Sequence, residues 1–233
     1  MIILSCRFIS IYPGYGLELF LNYLFKHLLK YLRYTGFIGA ACKPVVFILC
    51  LIPFFLLMRG AFNNELGPNP VEMIIRTLGD WGIYFLLIGL CISPLRRLLG
   101  VSWLIRYRRM IGLFAFFYIS MHFLSYIWFE QFFSVDDIVK DIIKRPFITI
   151  GFINFLLLIP LAATSTNAMI KRLKKNWGRL HRLVYPVTML ALLHYFMMIK
   201  ADYFVPSVLL VILSVLLGYR LVMRLKFFRL NSG

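Results

Sequence analysis

The chain has four histidines in 233 residues, and three of them, His122, His181 and His194, lie in or against strongly apolar stretches. An ionisable ring in hydrocarbon is costly unless a partner meets it, so each is a functional candidate by default. Among the chemistries open to imidazoles in an apolar helical setting is ligation of heme iron. His181 and His194 read as members of one helix, 13 residues apart. At 1.5 Å per residue their rings are roughly 20 Å apart along its axis, which suggests ligands for hemes stacked at two depths.

The rest of the chain must position these rings. It is 61% hydrophobic and 15% charged, with a mean hydropathy of +0.84. A soluble domain cannot cover so much apolar surface with so few charges, so the class is integral membrane protein. Repeated apolar stretches of 16 to 20 residues argue for helices, since barrel strands alternate with period two. Six spans are predicted, over 43–60, 77–95, 110–129, 147–164, 183–199 and 205–222. The expected fold is an all-α bundle of six transmembrane helices. Its parts are an N-terminal extension over 1–42, the membrane domain over 43–222 and a basic tail over 223–233.

The charges sort by loop. The N-terminal segment up to Lys43, the 96–109 and 165–182 loops and the C-terminal end from Arg220 onward hold 20 of the 26 Lys and Arg, with Glu18 as their one acid. The opposite side carries the other eight acids and only Arg59, Arg76, Lys140, Lys144, Arg145 and Lys200. The positive-inside rule then places both termini in the cytoplasm. The net charge of +17 is a topology signal and an attraction to anionic lipid heads, and nucleic-acid binding has no basic soluble domain to carry it. Within 17–33, Glu18, Asn22, Lys26, Lys30 and Arg33 form one helical stripe opposite Leu17, Phe20, Leu21, Leu24, Phe25, Leu28 and Leu32. That pattern predicts an amphipathic helix in the cytoplasmic interface, with His27 on its polar border. Cys6, Cys42, Cys50 and Cys91 show no CxxC or CxxCH spacing, which leaves zinc, disulfide and c-type heme readings unsupported.

Against this topology His122 and His194 share a depth, each about 12 residues from the cytoplasmic end of its span. Two imidazoles at matched depth on neighbouring helices are what a bis-histidine b-type heme requires. A single histidine in a span can instead hydrogen-bond to a neighbouring helix. His181 stands at the cytoplasmic mouth of the fifth span. It is a candidate for a second heme or an interfacial, solvated ring, and the matching level of the third span offers Arg108 and Arg109 in place of a histidine. About 140° separate His181 and His194 around an ideal helix, and Pro186 between them can kink it. Arg96, Arg97, Arg106, Arg108, Arg109, Arg179 and Arg182 either hold topology or pair with heme propionates. Trp81, Trp103, Trp128 and Trp177 are expected in interfacial belts.

The segments LIRYRRMIGLFAFFYISMHFLSY (104–126), KRPFITIGF (144–152), PLAATST (160–166) and WGRLHRLVYPVTMLALLHY (177–195) resemble the MsrQ (YedZ-type) family. These are heme-binding membrane subunits within the ferric-reductase-like transmembrane group. The resemblance runs from about residue 44 onward and leaves the first 40 residues outside it. It implies a bacterial inner-membrane cytochrome carrying one or two hemes b, with FMN also associated. Electrons would come from the quinone pool or a flavin reductase. They would go to a periplasmic molybdopterin-containing subunit that reduces methionine sulfoxide in oxidised proteins. His122, His181 and His194 correspond to the family's heme-associated histidines, and Arg108 to an arginine near its inner heme.

The loops are too short to house methionine sulfoxide chemistry, so the acceptor is expected on another protein, docked at loops 61–75 and 130–146. A self-contained ferric or oxygen reductase would need a flavin and nicotinamide domain, and no GxGxxG unit follows the last span. A transporter or scaffold is the non-redox alternative, and no inverted repeat or broken helix supports it.

Overall fold

The computed structural model describes residues 42–199 and 202–231. Among these residues every regular element is helical. They are α1 (Lys43–Phe62), α2 (Pro70–Leu99), α3 (Ile105–Phe129), α4 (Val135–Lys144), α5 (Pro146–Ala163), α6 (Asn167–Leu173), α7 (Lys175–Leu180), α8 (Val184–Met198) and α9 (Phe204–Asn231), with 3₁₀ turns over Ser102–Leu104 and His181–Leu183. The helix ends follow local chemistry. Pro70 opens α2, where its missing amide is no loss, and the Asn69 side chain accepts the Glu72 amide at 3.5 Å. Gly100 closes α2 at φ 68°, a left-handed conformation that glycine adopts without steric cost.

Among the described residues, five stretches are long and apolar enough to cross a membrane: Lys43–Phe62, Pro70–Leu99, Ser102–Phe129, Pro146–Ala163 and Phe204–Lys226. The expected span over 183–199 is helical, but α8 has only 15 residues. The amphipathic helix predicted over 17–33 lies outside the described residues. Two readings change. Residues 130–146, expected as a loop, contain α4, whose Ser134 side chain caps the Asp137 amide at 3.4 Å. His181 and His194 do not share one regular helix, because the 3₁₀ turn over His181–Leu183 precedes α8. Pro186, third in α8, falls within the first turn, where backbone amides have no intrahelical acceptor.

Val45, Ile48, Phe55, Val211 and Val215 are each more than half exposed, the inverted surface of a lipid-facing bundle. The interior centres on α2 and α3, with Leu78, Leu90, Ala115 and Tyr118 buried. Phe85 packs on Tyr118 and Phe114 at ring distances of 5.2 and 5.8 Å.

Both α1 and α2 contain an internal proline, Pro53 and Pro94, which removes an amide from the helical ladder. Each irregularity is bridged by a side chain from another helix. The Tyr118 hydroxyl on α3 donates to the Cys50 carbonyl at 2.8 Å and accepts the Phe54 amide at 3.1 Å. It therefore stands between two groups that an unbroken α1 would pair with each other. Arg220 on α9 reaches the Leu90 carbonyl at 2.7 Å and the Tyr185 hydroxyl.

Candidate cofactor site

His122, on α3, places Nδ1 2.8 Å from the Ile75 carbonyl on α2. His194, on α8, places Nδ1 2.7 Å from the Phe147 carbonyl on α5. A carbonyl oxygen has no proton to give, so each Nδ1 donates. The lone pair of each neutral ring is thereby left on Nε2, the tautomer a metal ligand needs, with its other nitrogen anchored. The ring centres are 6.2 Å apart and the planes cross at 81°.

That separation fits one shared metal. Two metal–nitrogen bonds of about 2 Å each, extended to the ring centres, span about 6 Å. Among the described residues no group of three or more His, Cys, Asp or Glu side chains could hold a metal ion. A bare ion would thus find two imidazoles only, whereas an iron porphyrin brings its other four donors with it. The residues present fit a bis-histidine heme.

His181 is arranged differently. Its Nε2 lies 3.1 Å from Thr164 Oγ1, and Thr164 gives its single hydroxyl proton to the Pro160 carbonyl at 2.6 Å. The histidine must therefore donate from Nε2, which leaves Nδ1 with the lone pair. Trp177 stacks on the ring at 4.0 Å and donates Nε1 to the Thr164 carbonyl at 3.0 Å. Trp177 thus braces the histidine in addition to its expected place in an aromatic belt. Burial, then the Arg108 guanidinium, hold His181 below the ordinary histidine value. As placed, it does not present Nε2 to a second iron.

Arg108 lines a cavity of about 460 Å³ with His181, Arg109, Arg182, Trp177 and Tyr185, and none of the lining residues is acidic. The sequence-predicted candidates thus divide into two places: His122 with His194 between helices, and His181 with Arg108 at the cavity. Thr164, which fixes the tautomer of His181, had no sequence signal of its own beyond its place in PLAATST. Arg220, counted among the cytoplasmic charges at the end of the sixth span, instead reaches into the bundle. Asn154 on α5 is 5% exposed with its Oδ1 unpartnered among the described residues, and an apolar stretch hides such a residue from periodicity.

Residues 78–192 match the family model described as ferric reductase like transmembrane component. That range holds His122 and His181 and ends just before His194. A relative from Herminiimonas arsenicoxydans named protein-methionine-sulfoxide reductase heme-binding subunit MsrQ is 52% identical over 181 residues, covering 76% of this chain and 83% of the relative. The chain belongs to the MsrQ family. MsrQ relatives of the same printed name from Polaromonas naphthalenivorans and Rhodospirillum rubrum are 48% and 49% identical. They align with 81% and 77% of this chain and with 87% of each relative. No solved structure matches this chain.

Proposed function

We propose that this chain is the heme-binding, electron-transferring membrane subunit of a methionine sulfoxide reductase system. The observation that carries this reading is the pair His122 and His194, with both Nδ1 atoms anchored and ring centres 6.2 Å apart. These two residues hold one b-type heme, which supplies a one-electron centre inside the bundle. Their tautomers keep Nε2 available. His181 and Arg108 serve the cavity on the cytoplasmic side. Its arginines suit an anionic group, a propionate of a second heme or the phosphate of FMN. A second iron at His181 would have to draw that ring away from Thr164.

The bundle crosses a bacterial inner membrane six times, with both termini cytoplasmic. α8 makes the short crossing, about 22 Å by helical rise, its ends extended by snorkelling Arg182 and by local thinning. Residues 43–222 form the membrane domain, and the end of α9 beyond residue 222 carries basic charges. Electrons enter from a quinone or a flavin reductase and leave to a periplasmic molybdopterin-containing subunit, which repairs oxidised methionine. Ferric-reductase-like transfer to another acceptor is the alternative within the same fold.

Heme quantification and a redox titration on the purified protein and its three histidine variants test this reading. A colourless product, even after heme supplementation during expression, overturns it in favour of a transporter or scaffold.

A further inference from the structure

The two histidines are seated by the same device, used twice. In each case the acceptor carbonyl precedes its histidine by 47 residues. In each case a glycine follows that carbonyl by one helical turn: Gly79 after Ile75, and Gly151 after Phe147. Within an α-helix the amide of residue i+4 bonds to the carbonyl of residue i. Ile75 and Phe147 therefore already accept the amides of Gly79 and Gly151, and each imidazole shares the same oxygen. Side chains lean toward the helix N-terminus, so a Cβ at i+4 lies over that approach.

The distances bear this out. A Cβ on Gly79 would stand 3.1 Å from His122 Nδ1 and 3.3 Å from its Cε1. A Cβ on Gly151 would stand 3.0 Å from His194 Cε1 and 3.1 Å from its Nδ1. Both are tighter than ordinary van der Waals contact, and in both the displaced group would be the imidazole itself. Gly218, by contrast, has nothing within 4 Å of an added Cβ.

We propose that Gly79 and Gly151 are paired positioning residues for the heme ligands. Each uncovers a backbone carbonyl so that its histidine locks Nδ1–H there and presents Nε2 to the iron. The inference rests on the reading that His122 and His194 hold the heme. It adds that the tautomer and electron-donating strength of both ligands are set by glycines on α2 and α5. An anchored Nδ1–H makes an imidazole a stronger donor, which favours ferric over ferrous iron and keeps the midpoint potential low.

The test uses the full chain purified with heme, as Gly79→Ala, Gly151→Ala and Gly218→Ala. The alanine at 79 or 151 is expected to change the low-spin electron paramagnetic signature and move the midpoint potential upward, while Gly218→Ala leaves both unchanged. Signatures and potentials in Gly79→Ala and Gly151→Ala identical to the unaltered protein overturn the proposal. A second measurement covers a variant that does not accumulate: pulsed resonance on the unaltered ferric protein, before and after exchange into D₂O. It should find a hydrogen-bonded proton on the remote nitrogen of both ligands, and its absence from either overturns the proposal. His122→Ala and His194→Ala separate the two levels. If they keep the full low-spin signal, the ligand assignment fails. If they lose it while the glycine variants stay silent, only this inference fails.

Discussion

Arg220 donates to the carbonyl of Leu90 across α9 and α2 at 2.7 Å. In an unbroken helix that carbonyl would accept the amide of residue 94, and residue 94 is a proline. The guanidinium thus satisfies an acceptor left bare by Pro94 in an apolar interior. A hydrogen bond from a charged donor contributes about 1.5–3 kcal/mol, so Arg220→Met should lower stability by about that much. Pro94→Ala restores the amide and should blunt the effect of Arg220→Met, and thermal unfolding of the two single variants and the double variant in detergent measures the coupling. Additive losses would show that the arginine does not serve Leu90.

Tyr118 plays the matching part at α1. Its hydroxyl stands between the Cys50 carbonyl and the Phe54 amide, and its side chain is fully buried. Tyr118→Phe keeps the ring and strands both backbone groups, at a cost of about 1–3 kcal/mol. Amide exchange at Phe54 should speed up relative to the remainder of α1. Unchanged exchange there would mean that the helix closes its own ladder without the hydroxyl.

Much of this arrangement was legible in the sequence, and what was missing has a common cause. Hydropathy and loop charge located the apolar helices, because lipid imposes length and sorting that a composition scan reads directly. The matched depth of His122 and His194 followed from counting along their spans, and the structure sets their rings side by side. The 3₁₀ turn that separates His181 from α8 was not readable, since Arg182 and Leu183 suit either geometry. Nor were the uses of Thr164, Gly79, Gly151 and Arg220 visible. Each acts on a backbone carbonyl or a ring of a distant helix, and an apolar stretch records no pattern for such partners. α4 was missed because its ten residues are too short to register against the spans around it.

α4 offers a test outside the membrane segments. Asp137 accepts the Ser134 hydroxyl and lies near Lys140, and these contacts, the serine first, hold its carboxyl below the usual value. A carboxylate depressed in the folded state contributes stability above the unfolded value, near about 3.9, and loses it as pH falls through the folded value. Amide exchange of α4, corrected for its intrinsic pH dependence, should show less protection on acidification below about pH 4. Asp137→Asn should flatten that dependence. Ser134→Ala removes the cap as well, and at neutral pH should speed exchange in the first turn roughly five-fold.

The last prediction separates the two histidine environments. His122→Ala and His194→Ala should each abolish one and the same low-spin heme signal, because an iron shared by two imidazoles loses its spin state when either goes. His181→Ala and Thr164→Val should both spare that signal. Each removes one side of the contact that commits His181 Nε2 to Thr164, so their effects should appear together at the cavity lined by Arg108. The readouts are heme or flavin retained per chain and the rate of reduction by a cytoplasmic-side donor. Loss of the low-spin signal in only one of the His122 and His194 variants would break the shared-iron assignment. Loss of it in His181→Ala would place that ring on the iron in spite of Thr164.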